Sequence, residues 1–154
     1  MFLKVSTLFF ILNILLCCSC NKENNLIPEQ NYTLFNTQNT GLSFHFVTNI
    51  EVDKYDNVWF GTVSTGLIKF DGTNWSHYNR INSPLPNDSI TALYINSNGR
   101  VFIGTTCGLL TLYQDNWIIY NSKNSGLLAE RITSICTDQN GGLWVGALSN
   151  LDNS

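Results

Sequence analysis

An all-β chain built from repeated four-stranded sheets is what this sequence predicts, and three observations carry the prediction. Asn57-Val-Trp59-Phe60-Gly61-Thr62 returns as Arg100-Val-Phe102-Ile103-Gly104-Thr105, and again as Gly142-Leu-Trp144-Val145-Gly146-Ala147, with the glycines 43 and 42 residues apart. A second marker keeps the same step, since Trp75-Ser-His-Tyr78 matches Trp117-Ile-Ile-Tyr120 at a distance of 42 residues. Ahead of each glycine runs an apolar strand: Val47, Ile90 and Ile132 stand fourteen residues before it, and Ile50, Leu93 and Ile135 eleven before it. A unit with a period in the low forties and four strand-like runs has the size of one four-stranded propeller blade. The expected architecture is a partial β-propeller: about two complete four-stranded blades and an incomplete third, following an N-terminal signal peptide.

The elements can be justified in chain order. Lys4 and the apolar run Leu8–Leu16, interrupted by Asn13, read as an export signal over residues 1–19. The run is far short of the roughly 20 apolar residues a membrane-spanning helix needs. Cys17-Cys18-Ser19-Cys20 and the polar stretch Asn21–Asn25 follow. This stretch resembles a bacterial lipobox, with Cys20 as the lipidated residue because a small residue precedes it, and Cys18 as the alternative. Residues 20–30 are expected to form a flexible tether. Residues 31–147 carry the repeats and 148–154 a truncated tail. Tyr32-Thr-Leu-Phe35 matches Trp75–Tyr78 at 43 residues and reads as an isolated outer strand.

The middle repeat shows how one unit is encoded. Ile90–Ile95 is β-branched and apolar, as suits an innermost strand buried on both faces. Asn96-Ser-Asn98-Gly99 is a turn cluster whose glycine can take positive φ. Val101–Thr105 forms the second strand, and Gly104 suits a place where neighbouring blades approach closely. Leu109–Tyr113 makes the third strand and Trp117–Tyr120 the outer one, before a loop to about Arg131 crosses to the next blade. The markers Trp59, Phe102, Trp144, Trp75 and Trp117 read as packing residues, since a buried aromatic ring stabilises by a few kcal/mol without any ligand. Gly61, Gly104 and Gly146 read as repeat markers of the same kind.

Asp53–Thr62 and Asp138–Ala147, each an Asx turn leading into aromatic-aliphatic-Gly-Thr/Ala, resemble the repeat of two-component regulator propellers over residues 31–147. The resemblance implies an exported protein, similar either to the periplasmic sensor regions of hybrid regulators or to free-standing lipoproteins. The lipoprotein version fits the lipobox better. Three blades are too few to close a ring, so the expected chain is an N-terminal piece of a longer propeller, a disrupted gene product, or a unit that assembles with copies of itself through an uncovered blade face.

Composition excludes several function classes. Cleavage before Cys20 leaves 135 residues with 7 basic and 11 acidic side chains, and no basic patch that would neutralise nucleic-acid phosphates. Membrane contact is therefore expected through the lipid anchor. His45 and His77 have no metal-ligand spacing around them, so no metal or cofactor is expected. Asp53-Lys-Tyr-Asp56-Asn57 and Asp138-Gln-Asn140-Gly could suggest calcium loops, but both sit in the same hairpin turn as Asn96–Gly99, where Asx side chains bond the local backbone. Cys107 and Cys136 are expected to be free and at least half-buried. No acid–base pair or phosphate loop is present. The function expected is that of a lipid-anchored binding or sensing module of the bacterial envelope, at the periplasm or outer membrane, engaging a glycan or another envelope protein and not acting as an enzyme. The alternatives are a propeller-type lyase and a remnant without activity.

Overall fold

The computed structural model describes residues 2–6, 31–35, 40 and 46–149, and the chain divides into two units, 1–42 and 43–154. In the first unit β1 (Phe2–Ser6) pairs antiparallel with β2 (Asn31–Phe35), Phe2 opposite Phe35 and Ser6 opposite Asn31. The strand at 31–35 thus exists, but its partner is β1 and not a blade strand. The apolar core of the signal, Cys18 and Cys20, the whole tether, His45 and residues 150–154 lie outside the described residues.

The second unit holds three antiparallel sheets that follow the repeat. Blade 1 is β3 (Val47–Val52), β4 (Val58–Thr62), β5 (Leu67–Phe70) and β6 (Trp75–Tyr78), hydrogen-bonded in that order. Blade 2 is β7 (Ile90–Ile95), β8 (Val101–Thr105), β9 (Gly108–Tyr113) and β10 (Asn116–Tyr120), also in order. Blade 3 shows two strands, β11 (Arg131–Thr137) and β12 (Leu143–Leu148). Sheets of four, four and two strands are the partial propeller that the period predicts. Each is a simple meander, because tight turns can join only antiparallel neighbours.

The blades meet through their first strands, β3 against β7 and β7 against β11. Each first strand carries a register irregularity at the same place, between Val47 and Asn49, Ile90 and Ala92, and Ile132 and Ser134. The residue in the irregularity is threonine every time: Thr48, Thr91 and Thr133. A bulge bends its strand and sharpens local twist, which re-aims the apolar residues beside it toward the neighbouring blade. Thr48 Oγ1 donates to the carbonyl of Ile90 across the first junction at 2.8 Å.

The marker glycines sit at those junctions. A Cβ on Gly61 would lie 2.7 Å from Ile90 Cγ2, and one on Gly104 would lie 2.6 Å from Ile132 Cγ2. Ile90 and Ile132 are completely buried. The main core joins blades 1 and 2 through Trp59, Leu67, Ile90, Leu93, Ile103 and Leu110. A smaller cluster of Ala92, Leu109 and Ile132 joins blades 2 and 3. Of the other markers, Trp75 stacks on Phe70 with ring centroids 4.4 Å apart, and Trp117 meets Tyr78 edge-on at 5.7 Å. Phe102 is buried and Trp144 is exposed.

Candidate functional site

Loops gather at the two ends of the strands, and each end is built by a hydrogen-bonded frame that repeats. At one end lie the turns between the first two strands of each blade. Asp53 Oδ1 accepts the backbone N–H groups of Tyr55 and Asn57, and Oδ2 accepts Asn57 Nδ2 and the Trp59 indole N–H. Asp138 does the same for Asn140, Gly142 and the Trp144 indole. In blade 2 the corresponding residue is Asn96, whose Oδ1 accepts the Arg100 N–H, and the residue six further on is Phe102, whose ring has no N–H to offer. These carboxylates are therefore spent within their own turns. Burial pushes the Asp53 carboxyl up, but the four hydrogen bonds outweigh it and leave the group below its ordinary value. The Trp144 indole and the turn N–H groups hold Asp138 low as well.

At the opposite end run the crossover loops from blade to blade, and these also share a frame. Asn79 Oδ1 accepts the N–H groups of Ile81 and Asn82, Asn82 Nδ2 donates to the His77 carbonyl, and Ser83 Oγ donates to the Asn79 carbonyl. Asn121, Asn124 and Ser125 make the same set with Lys123, Asn124 and Ile119. A carboxylate then closes each loop. Asp88 accepts Arg80 N–H and its guanidinium, while Glu130 accepts Ser122 Oγ at 2.7 Å. The end of each loop is tied back to the turn between the second and third strands of the blade it leaves, with Gly66 N–H donating to the Asp88 carbonyl and Gly108 N–H to that of Glu130. Thr62 and Thr105 hydroxyls cap the same turns through the carbonyls of Gly66 and Gly108. Each loop also displays an apolar side chain: Ile81 is 95% exposed and Leu128 98%, whereas Leu85 turns into the core.

Between blades 2 and 3 this end opens into a cleft of about 510 Å³, lined among others by Thr106, Cys107, Ser122, Leu128, Glu130 and Arg131. Its wall offers three hydroxyls, a thiol, a carboxylate and a guanidinium beside three apolar side chains, a set able to hold a polar ligand by hydrogen bonds. A smaller cleft of about 200 Å³ lies at the turn end between blades 1 and 2, with Trp59, Lys69, Tyr78 and Tyr113 on its walls. There Lys69 Nζ stands 5.3 Å over the Trp59 ring, and Trp59 stacks on Tyr78.

None of the repeat markers lines the larger cleft, and Cys20 lies outside the described residues. Cys107 and Cys136 are free, as expected, but both are exposed, which corrects the expectation of burial. Cys107 stands in the turn after Thr105 at the loop end. Cys136 lies on β11, in a strand where Ile132 alone is fully buried. His77 on β6 bonds through Nε2 to the Thr65 carbonyl, a structural contact. Among the described residues no group of three or more His, Cys, Asp or Glu side chains is placed to hold a metal.

The crossover frame had a signal in the sequence that the strand markers overshadowed. Asn79-Arg-Ile-Asn82-Ser83-Pro-Leu85 and Asn121-Ser-Lys-Asn124-Ser125-Gly-Leu127 share Asn, Asn, Ser and Leu at fixed places, and Asn36-Thr-Gln-Asn39-Thr40-Gly-Leu42 repeats the pattern a third time.

Meandering sheets joined at their first strands by Gly–Ile contacts, with framed loops at both ends, define a β-propeller repeat protein. Residues 41–64, 84–107 and 126–148 each match the two component regulator propeller, so the chain carries three repeats of that family. The extracellular domain of BT3049 from B. thetaiotaomicron, named as a hybrid two component system, superposes with a TM-score of 0.58 at 23% identity, over 76% of this chain and 18% of its own. The extracellular domain of BT4673 from the same organism, named as a one component system, gives a TM-score of 0.40 at 20% identity, over 79% of this chain and 23% of its own. This chain therefore spans about a fifth of the length of those structures. No curated protein matches it significantly.

Proposed function

We propose that this chain is an exported binding module, lipid-anchored at Cys20 to the bacterial envelope, which engages a polar ligand at its crossover-loop end. The observation that carries the reading is the division of labour in those loops. An Asn-x-x-Asn-Ser frame consumes the backbone polar groups in the same way at both described crossovers, while the side chains inside it, Arg80 and Ile81 in one loop and Ser122 and Lys123 in the other, differ and are exposed. Rigid scaffold with variable display is how binding surfaces are built on repeat folds. The polar cleft bounded by Ser122, Glu130 and Arg131 suits a glycan or a polar segment of another envelope protein. That the matching BT3049 structure is an extracellular domain supports export. In the processed chain, cleavage before Cys20 would remove β1, so the β1–β2 pairing belongs to the uncleaved form.

The test is a thermal-shift screen of the chain against oligosaccharides and envelope peptides, repeated with Arg131→Ala and Ser122→Ala. A ligand that raises the melting temperature of the parent and not of the variants supports the site. A panel without any shift, or one that persists in both variants, removes it. Anchoring is checked separately by feeding cells an alkynyl fatty acid, with label expected on the parent and lost in Cys20→Ser.

A further inference from the structure

The open face of blade 3 repeats a face that the chain closes twice elsewhere. At the first junction Ile90 fills the notch over Gly61, and at the second Ile132 fills the notch over Gly104. Gly146 stands at the same register on β12, but the atoms nearest its notch belong to Thr133 and Ser134 of its own blade, not to a following strand. Trp144 is 64% exposed, whereas Trp59 and Phe102, its equivalents in blades 1 and 2, are 5% and 7% exposed. At the other end of the array, β3 carries Val47, Ile50 and Val52 where β7 carries Ile90, Leu93 and Ile95. Ile50 is 53% and Val52 56% exposed, while Leu93 is 6%. The chain thus displays both halves of one interface, on two different faces.

We infer that a second copy of this chain covers the open face of blade 3, its Val47 seated over Gly146 and its Ile50–Val52 edge against Trp144. The contact continues an interface already made twice within the chain, by residues of the same type at the same register. It rests on the blade faces alone and stands whether or not the crossover end binds a ligand. Such an association is head-to-tail, so each copy uses one face of each kind. Two copies bring six innermost strands together, within the range of about 4 to 8 blades that close a propeller, so the ring can shut without running on into a filament.

Sedimentation velocity on the full chain across a dilution series tests this. The parent is expected to sediment with the mass of two copies and to dissociate on dilution. Gly146→Val fills the notch and Val47→Asp charges the opposing edge, and each variant alone is expected to stay at the mass of one copy. Their circular-dichroism melting, compared with that of the dissociated parent, reports whether the fold is intact. The head-to-tail geometry gives a stricter outcome. An equimolar mixture of the two variants pairs the intact edge of one with the intact notch of the other, and association is expected to return. A parent of single-copy mass at every concentration, a Gly146→Val chain that assembles like the parent, or a mixture of folded variants that stays dissociated each overturns the inference.

Discussion

Asp53 shows how much one side chain can settle, since it closes a turn and fixes an indole in the same act. Its two oxygens face different donors, so replacement by asparagine keeps an acceptor for the backbone and loses the charge that the Trp59 N–H and Asn57 amide share. The carboxyl is held below its ordinary value of about 3.9, so the folded state binds its proton less readily than the unfolded one. Its contribution is complete above that value and is lost as pH falls through the depressed folded one. Asp138 acts with the same sign. Stability is therefore expected to decline in acid, and the decline to be shallower in an Asp53→Asn, Asp138→Asn double variant, as urea midpoints measured from neutral pH down to about pH 3 would report. Asp56 offers a second residue-scale prediction. It holds a φ of 62° where the equivalent Gly99 and Gly141 hold 85° and 83°. Asp56→Gly relieves a left-handed conformation that side chains tolerate poorly, and is expected to leave stability unchanged or raise it by up to about 1 kcal/mol in chemical denaturation. Gly99→Ala is expected to lower it by about 1 kcal/mol.

At the scale of the element, the hairpin and the blade junction obey different rules. Gln114 and Asp115 join β9 to β10 with both φ angles positive, 49° and 64°. That geometry is a two-residue turn that favours Asn-Gly. Replacing the pair by Asn-Gly is expected to raise the melting temperature, and an unchanged or lower value would argue against the turn. At the junctions the constraint is closeness, not φ. Gly104→Ala forces a methyl onto Ile132, and an overpacked site of this kind costs about 1–3 kcal/mol. The same change at Gly146 meets first the hydroxyl ends of Ser134 and Thr133 in its own blade, which can turn aside, and is expected to cost less in the dissociated chain. Legibility in the sequence follows the same division. The strands of blade 2 were readable almost to the residue because apolar runs and Gly/Asx turns alternate there. Gly104 was readable as a point of close approach because a small residue recurring at fixed register has no other use in a strand. The bulged threonines were not readable, because Val-Thr-x-Ile or Ile-Thr-x-Leu fits an unbroken strand equally well. The crossover frame was written in the sequence as a repeated Asn pattern, but asparagine in a loop suggests only a generic turn until its partners are known. The exposure of Cys136 was hidden for a different reason: burial on β11 depends on a neighbour that strand patterning does not locate.

Across the second unit, repeats that touch only their neighbours make stability a sum of blade and junction terms, so opening should spread inward from the least covered blade. The burial gradient is steep. Every residue of β8 is buried, while on β12 none is fully buried and on β11 only Ile132 is. Among the described residues, blade 2 is covered on both sides by blades 1 and 3, whereas blade 3 packs against blade 2. Its amides can therefore open without breaking the main core of blades 1 and 2. Hydrogen exchange on the dilute chain is expected to protect β7, β8 and β9 most, and to release β11 and β12 first. Ile132 is the exception to follow, because it is fully buried against Gly104 and ties the base of β11 to blade 2. Ile132→Ala removes that tie. It should bring forward exchange throughout β11 and β12 while leaving β4 and β5 unchanged. Equal loss of protection in blade 1 would mean that the blades open as a single cooperative body and not one at a time.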